Sequence, residues 1–202
     1  MRIYLVRHGQ TASNLEGRYA GRSKEPLTPT GVAQARRAAE RLRPFGIASL
    51  WTSPIARARQ TAEIIGQMLG VPVVLDDGLT EMAMGPWEGL VEEEVAARYP
   101  ADFQVWQERP SALRLPGRET LAAVQARALD AVQRIGERTG AQPAVAVTHV
   151  ALIRCLYLFA RGLPLDSYKT VDVPNTAMFL LQQAGDELTM VRLDEEPHAR
   201  DA

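Results

Sequence analysis

Several features are scarce in this sequence, and each shortage excludes a class of protein. The single cysteine among 202 residues, Cys155, excludes an internal disulfide and is typical of a reducing compartment. No apolar run approaches the roughly 18 residues of a membrane-spanning helix, and the first run, residues 1–6, is too short for a signal peptide. Neither charge dominates, because 23 basic and 24 acidic side chains give a formal net charge of -1. We therefore expect a cytoplasmic protein that binds neither nucleic acid nor membrane.

Short motifs for metals and nucleotides are also missing. The sequence contains no HxH, CxxC or HExxH pattern and no GxxxxGK[ST] loop. We therefore expect no metal and no cofactor, and an anionic ligand would have to be held by side chains.

The sequence does contain short apolar runs that alternate with helical patterns. Strands are predicted at residues 3–6, 47–51, 71–75 and 144–147. Helices are predicted at residues 30–43, 53–69, 91–99, 101–107, 119–138 and 150–161, with loops at 7–29 and 76–90. This alternation predicts an α/β fold, a three-layer α/β/α sandwich around a mostly parallel sheet.

The end of the chain follows a different pattern. Residues 176–182 and 187–193 are typical of a hairpin that turns at Gly185 and Asp186, which predicts an antiparallel strand at one edge of the sheet. We expect one domain over residues 1–193, followed by a polar, disordered tail at 194–202.

Two of the three histidines stand directly after predicted strands. His8 follows the first strand together with Arg7, and His149 follows the strand at 144–147. Ligands of parallel α/β sheets bind at the carboxyl ends of the strands, so the two imidazoles would face one crevice if these strands are neighbours. An imidazole can attack phosphorus, and an arginine fork can hold the phosphoryl oxygens.

Two further residues complete a candidate phosphate site. Ser53 and Pro54 form a helix-start signal that places Arg57 in a first helical turn, where it could hold the same anion. A phosphate ester also needs its leaving oxygen protonated. Glu81 is the candidate acid, because the apolar residues that follow it would raise its pKa.

These motifs resemble a known family. Residues 5–11, followed by Asn14, are similar to the signature of the histidine phosphatase superfamily, which includes cofactor-dependent phosphoglycerate mutase and many small phosphatases. Further stretches match in the family's order, at residues 17–31, 52–62, 79–89 and 148–149 and at Asn175. The resemblance implies a phosphoglycerate mutase-like fold.

The resemblance also implies roles for the candidate residues. His8 would be the phosphorylated nucleophile, Arg7, Arg57 and His149 would surround the phosphoryl group, and Glu81 would be the proton donor and later the base. The predicted substrate-binding residues are Gln10, Thr11, Asn14, Gly21, Arg22, Met84 and Asn175.

Within the superfamily, residues 87–106 resemble metal-independent phosphoserine phosphatases and their broad-specificity relatives. Residues 82–84 replace the Arg-His-Tyr run of the mutases, and Arg118 stands where many relatives carry glycine. The function that the resemblance implies is hydrolysis of a small phosphorylated metabolite, of the phosphoserine, phosphoglycerate or ribazole phosphate type, through a phosphohistidine. The alternatives are a cofactor-dependent phosphoglycerate mutase and a non-catalytic module that binds a phosphorylated ligand. Relatives are often homodimers, and the resemblance allows one here.

Overall fold

A six-stranded sheet forms the centre of the fold. The computed structural model describes residues 1–185 and 187–193. The strands are β1 (Arg2–Arg7), β2 (Ser49–Thr52), β3 (Val73–Leu75), β4 (Pro143–Thr148), β5 (Met178–Ala184) and β6 (Glu187–Arg192). The α-helices are α1 (Ala12–Glu16), α2 (Pro29–Leu42), α3 (Ala56–Leu69), α4 (Glu92–Arg98), α5 (Pro100–Glu108), α6 (Leu121–Thr139) and α7 (Val150–Ala160).

The strand order is β3-β2-β4-β1-β5-β6, and the first four strands are parallel. β5 runs antiparallel to β1, and β6 runs antiparallel to β5. β1 and β4 pair along their whole length, up to Arg7 opposite Thr148. The predicted α/β fold with a mostly parallel sheet and an antiparallel edge is confirmed, and the residues after β1 and β4 emerge side by side.

Alternating side chains of β1 separate the two helical layers. Ile3 and Leu5 pack in a core cluster with apolar residues of α6 and α7. Tyr4 and Val6 point to the opposite face and pack with residues of α2 and α3. Each such side chain contributes about 1.5–3 kcal/mol through burial, so both faces of the central strand fix its register and therefore the position of its carboxyl end.

Two local predictions were wrong. The predicted loop at 7–29 contains α1, a helix with no buried residue that is stabilised by a capping box between Thr11 and Asn14. Five residues, none of them buried, give no apolar period, so nothing in the pattern indicated this helix. The predicted helix start at Ser53 and Pro54 is also early, because α3 begins at Ala56. Ser53 instead turns into the interior, where its Oγ accepts the N–H of Ile55 at 3.2 Å.

Other boundaries differ by a few residues, and the predicted loop at 76–90 contains single 3₁₀ turns at Asp77–Leu79 and Gly85–Trp87. The predicted tail at 194–202 lies outside the described residues. Within 1–185 and 187–193, no helix is both long enough and apolar enough to cross a membrane.

Candidate active site

The two histidines that follow β1 and β4 lie next to each other. The ring centroids of His8 and His149 are 5.1 Å apart, and their planes are inclined by 58°. Both side chains are buried, at 3% and 0% exposure. The parallel pairing of β1 with β4 therefore builds a crevice lined by two imidazoles.

Hydrogen bonds assign the tautomer of His8. The Nε–H of Arg57 lies 3.1 Å from His8 Nε2, and His8 Nδ1 lies 2.7 Å from the carbonyl oxygen of Gly9. Since a guanidinium can only donate, Nε2 must be the acceptor and Nδ1 must carry the proton. Burial, together with the charges of Arg57 and Arg7, lowers the pKa of His8 well below its usual range. His8 is therefore a neutral imidazole with a lone pair on Nε2.

The same reasoning assigns His149. Its Nε2 lies 2.8 Å from Ser53 Oγ, which already accepts the N–H of Ile55. A buried hydroxyl proton needs an acceptor, so Ser53 donates to Nε2 and the proton of His149 resides on Nδ1. Burial and the charge of Arg57 lower the pKa of His149 well below its usual range. Nδ1 is buried and has no partner within the described residues, so it is a neutral donor available to a ligand.

Two arginines surround the histidines, of which Arg57 is buried and Arg7 is partly buried. Arg57 donates from Nη2 to the carbonyl of Gly21 at 2.6 Å and from Nη1 to the carbonyl of Ser23 at 3.1 Å. Arg7 donates from Nη1 to the carbonyl of Val173 at 2.7 Å, and its buried Nε has no partner in the described chain. Burial lowers the pKa of Arg7 to about 10, so it remains a cation at neutral pH.

Neither arginine forms an ion pair with a carboxylate among the described residues. Within that part of the chain, no group of three or more His, Cys, Asp or Glu side chains could hold a metal ion. Among the described residues, the arginine side chains of the site can therefore bind the negative charge of a phosphate.

Glu81 is the acidic group of the site. Its Oε1 accepts the N–H of Met82 at 2.7 Å. Burial raises the pKa of the Glu81 carboxyl, although the charges of Arg57 and Arg7 oppose the shift. The hydroxyl of Thr148 donates to the carbonyl of Leu79 at 2.8 Å and so joins the segment before Glu81 to the end of β4. Such a carboxyl can give up a proton and take one back.

Two predicted substrate-binding residues lie on the wall next to His8. Asn175 Nδ2 donates to the carbonyl of His8 at 3.2 Å and to Asn14 Oδ1 at 2.9 Å. Two others are occupied elsewhere, because Thr11 donates its hydroxyl to Glu25 and Gln10 accepts that of Thr28. The side chains of Thr11 and Gln10 thus fasten the loop after β1 in this structure.

The remaining predicted residues lie in the loops over the site. Gly21 has φ of +49°, which side chains rarely adopt, and a Cβ there would lie 2.2 Å from Glu88 Oε2, so a larger residue would be strained and would displace the Glu88 side chain. Arg22 donates from Nε to the carbonyl of Glu81 at 3.1 Å, and Met84 is buried in the core cluster. That these residues bind substrate stays a prediction.

Sequence reasoning did not find Ser53 as the partner of His149, nor Glu119 and Arg127, which contact the segment around Glu81. It also did not predict the contacts of Arg118. Its buried guanidinium lies 4.3 Å from the ring centroid of Trp106 and 5.2 Å from that of Trp87. No local pattern indicates these contacts, because each joins residues that are far apart in the sequence.

The sequence model of the histidine phosphatase superfamily (branch 1) matches residues 3–196. The chain belongs to the histidine phosphatase superfamily. Phosphoserine phosphatase 1 of Hydrogenobacter thermophilus is 28% identical over 98% of this chain and 94% of its own. The probable phosphoglycerate mutase GpmB of Cronobacter sakazakii is 36% identical over 81% of this chain and 76% of its own.

The solved structures agree with this assignment. Bacillus stearothermophilus YhfR superimposes with a TM-score of 0.89 at 30% identity and covers 95% of each chain. This histidine phosphatase is therefore a phosphoric monoester hydrolase, as the sequence analysis predicted.

Proposed function

We propose that this protein hydrolyses a small phosphorylated metabolite without a metal ion, through a phosphohistidine at Nε2 of His8. The observation that carries the proposal is the neutral His8, whose Nε2 lone pair faces the guanidinium of Arg57 in a buried site. A phosphoryl group bound by Arg57 would sit against the nucleophilic nitrogen. The proposal also takes residues 1–193 as one domain.

In the first step, Nε2 of His8 attacks phosphorus and forms an N–P bond while the P–O ester bond breaks. Glu81 gives its proton to the leaving oxygen, so an alcohol departs. Arg7 and Arg57 donate to the non-bridging oxygens, and His149 adds the Nδ1 proton that Ser53 keeps in place. Arg57 must move its Nε–H from His8 to a phosphoryl oxygen when the substrate enters.

In the second step, the carboxylate of Glu81 takes a proton from water, and the water oxygen attacks phosphorus. The N–P bond breaks, the electron pair returns to Nε2 of His8, and inorganic phosphate leaves. One carboxyl must serve in both protonation states, which the raised pKa of Glu81 supports.

The substrate class that we propose is a metabolite of the phosphoserine, phosphoglycerate or ribazole phosphate type. The names of the relatives support it, since they include a phosphoserine phosphatase and a probable phosphoglycerate mutase. The second of these names also favours a mutase as the alternative. The two functions differ in whether water or a second hydroxyl group accepts the phosphoryl group.

The test measures release of inorganic phosphate from a panel of phosphorylated metabolites in the presence of EDTA, for the wild type and for His8→Ala. Turnover by the wild type, together with an acid-labile, alkali-stable phosphoenzyme that is lost in the variant, supports the proposal. Interconversion of phosphoglycerates that depends on added 2,3-bisphosphoglycerate would favour the mutase. Binding of phosphate without release or phosphoenzyme would contradict both.

A further inference from the structure

The segment that carries Glu81 is held by a side chain from a distant helix. Arg127, on α6, donates from Nη1 to the carbonyl of Gly78 at 2.9 Å and to the carbonyl of Thr80 at 2.7 Å. These bonds fix the backbone immediately before Glu81. The two carbonyls lie in and after a single 3₁₀ turn.

A second contact fixes the backbone after Glu81. Glu119 Oε2 accepts the N–H of Ala83 at 2.9 Å. The carbonyl of Glu81 itself accepts from Nε of Arg22 at 3.1 Å. The carboxyl of Glu81 therefore projects from a backbone that is bound on both sides and at its own carbonyl.

Glu119 joins these contacts into one unit. Arg127 binds it in a bidentate manner, from Nε to Oε1 at 2.9 Å and from Nη2 to Oε2 at 3.1 Å. Arg22 adds a bond from Nη2 to Oε2 at 2.9 Å. Burial opposes ionisation, but the hydrogen bonds from Arg127 and Ala83 keep the pKa of Glu119 below its usual value. Glu119 is therefore an anion at neutral pH and the shared acceptor of the unit.

We propose that Glu119 and Arg127 are positioning residues that hold Glu81 where it protonates the leaving oxygen. This inference rests on the proposed function. General acid catalysis depends on hydrogen-bond geometry, and a displacement of about 1 Å can cost on the order of 100-fold in rate. Among the described residues, no hydrogen bond joins either side chain to the two histidines or to Arg7 and Arg57, so we expect loss of either to weaken proton donation more than phosphate binding.

This role has a chemical signature. A good leaving group, such as p-nitrophenolate, departs with little help from an acid, whereas an alkoxide such as that of benzyl phosphate needs a proton. The value of kcat/KM reports the steps up to leaving-group departure and is independent of the later hydrolysis of the phosphohistidine. A positioning defect at Glu81 therefore lowers kcat/KM for benzyl phosphate far more than for p-nitrophenyl phosphate.

The experiment compares Glu119→Gln and Arg127→Met with the wild type on these two esters. Glu81→Gln is the reference for complete loss of the acid. Arg98→Met is the control for loss of an arginine ion pair, because Arg98 is exposed on α4 and pairs with Glu94 at 3.3 Å. No hydrogen bond in the described chain joins this pair to residues 78–83. Circular dichroism and the melting temperature check that each variant is folded.

We expect Glu119→Gln and Arg127→Met each to lose roughly 10- to 30-fold in kcat/KM for benzyl phosphate and less than about threefold for p-nitrophenyl phosphate. The double variant should lose little more than either single variant, because both act through one unit. We expect Arg98→Met to stay within about twofold on both esters.

Equal losses on the two esters, or no loss in folded variants, would overturn the inference. A failure of the proposed function looks different. In that case the wild type forms no phosphoenzyme, or Glu81→Gln itself fails to discriminate between the esters.

Discussion

The hydrogen bond from Ser53 to His149 permits a specific prediction. Ser53→Ala removes the hydroxyl that donates to Nε2 of His149 at 2.8 Å and that accepts the N–H of Ile55. Without it, the imidazole can place its proton on Nε2 and turn Nδ1 into an acceptor, which would repel a phosphoryl oxygen. The variant should therefore bind the transition state less well while the nucleophile His8 is unchanged.

The magnitude follows from a single buried hydrogen bond. Its net contribution is about 1 kcal/mol, which corresponds to about a fivefold fall in kcat/KM. Complete removal of the donor by His149→Ala should cost on the order of 100-fold or more, as for other donors to a developing oxyanion. Ser53→Ala should also destabilise the fold by about 1–3 kcal/mol, because the N–H of Ile55 loses its acceptor.

The assay combines kinetics with nitrogen NMR of the His149 ring, in which the protonated nitrogen has a distinct shift. Thr52→Val is the matched control, since Thr52 is an equally buried neighbour whose hydroxyl donates to backbone carbonyls and not to an imidazole. The reasoning is refuted if wild-type His149 carries its proton on Nε2. It is also refuted if Thr52→Val lowers kcat/KM as much as Ser53→Ala does.

Three further predictions concern stability and reactivity. Because the pKa values of His8 and His149 are lowered in the folded state, the unfolded chain binds protons that the folded chain does not as the pH falls below about 6.5. The unfolding free energy should then fall by up to about 1.4 kcal/mol per pH unit for each histidine. When it is measured by urea titration at several pH values, His149→Asn should show a weaker dependence of the unfolding free energy on pH than the wild type. Gly9→Ala would place a Cβ 2.5 Å from a backbone oxygen of α2 and should lower the unfolding free energy by at least about 2 kcal/mol. Gly46→Ala has open space around it and should cost about 1 kcal/mol from its positive φ alone. A higher melting temperature for Gly9→Ala than for Gly46→Ala would contradict this. Burial raises the pKa of Cys155 to about 12, so the native protein should not react with a thiol reagent at pH 8, and modification before unfolding would show that the thiol is accessible.

The sequence predicted the sheet and the pair of histidines because both depend on local patterns. Apolar runs of four to six residues indicate strands, and the rule that ligands bind at the carboxyl ends of parallel strands applies without coordinates. The adjacency of β1 and β4 could not be predicted from the sequence, since 140 residues lie between Ile3 and its register partner Ala144. The two histidines line one crevice because β1 and β4 pair in parallel.

The supporting residues were out of reach for a different reason. Glu119 and Arg127 act on backbone groups at residues 78–83, between 36 and 49 positions earlier, and no local pattern indicates which charged residues reach that segment. The hydroxyl of Ser53 accepts a backbone N–H two residues on, as a capping hydroxyl does, but local patterns do not predict its second partner, His149. Propensity rules look only a few residues ahead, whereas His149 is 96 residues away.

The guanidinium groups of Arg57 and Arg7 have a consequence for stability, because neither forms an ion pair with a carboxylate among the described residues. Burial lowers the pKa of both groups, so uncompensated positive charge in the site that they line costs free energy. An anion that occupies it restores this energy, and at 100 times its dissociation constant it adds about 2.7 kcal/mol to stability. Inorganic phosphate, the product, fits the same cations as the substrate. Substrate must therefore compete with free phosphate for these cations.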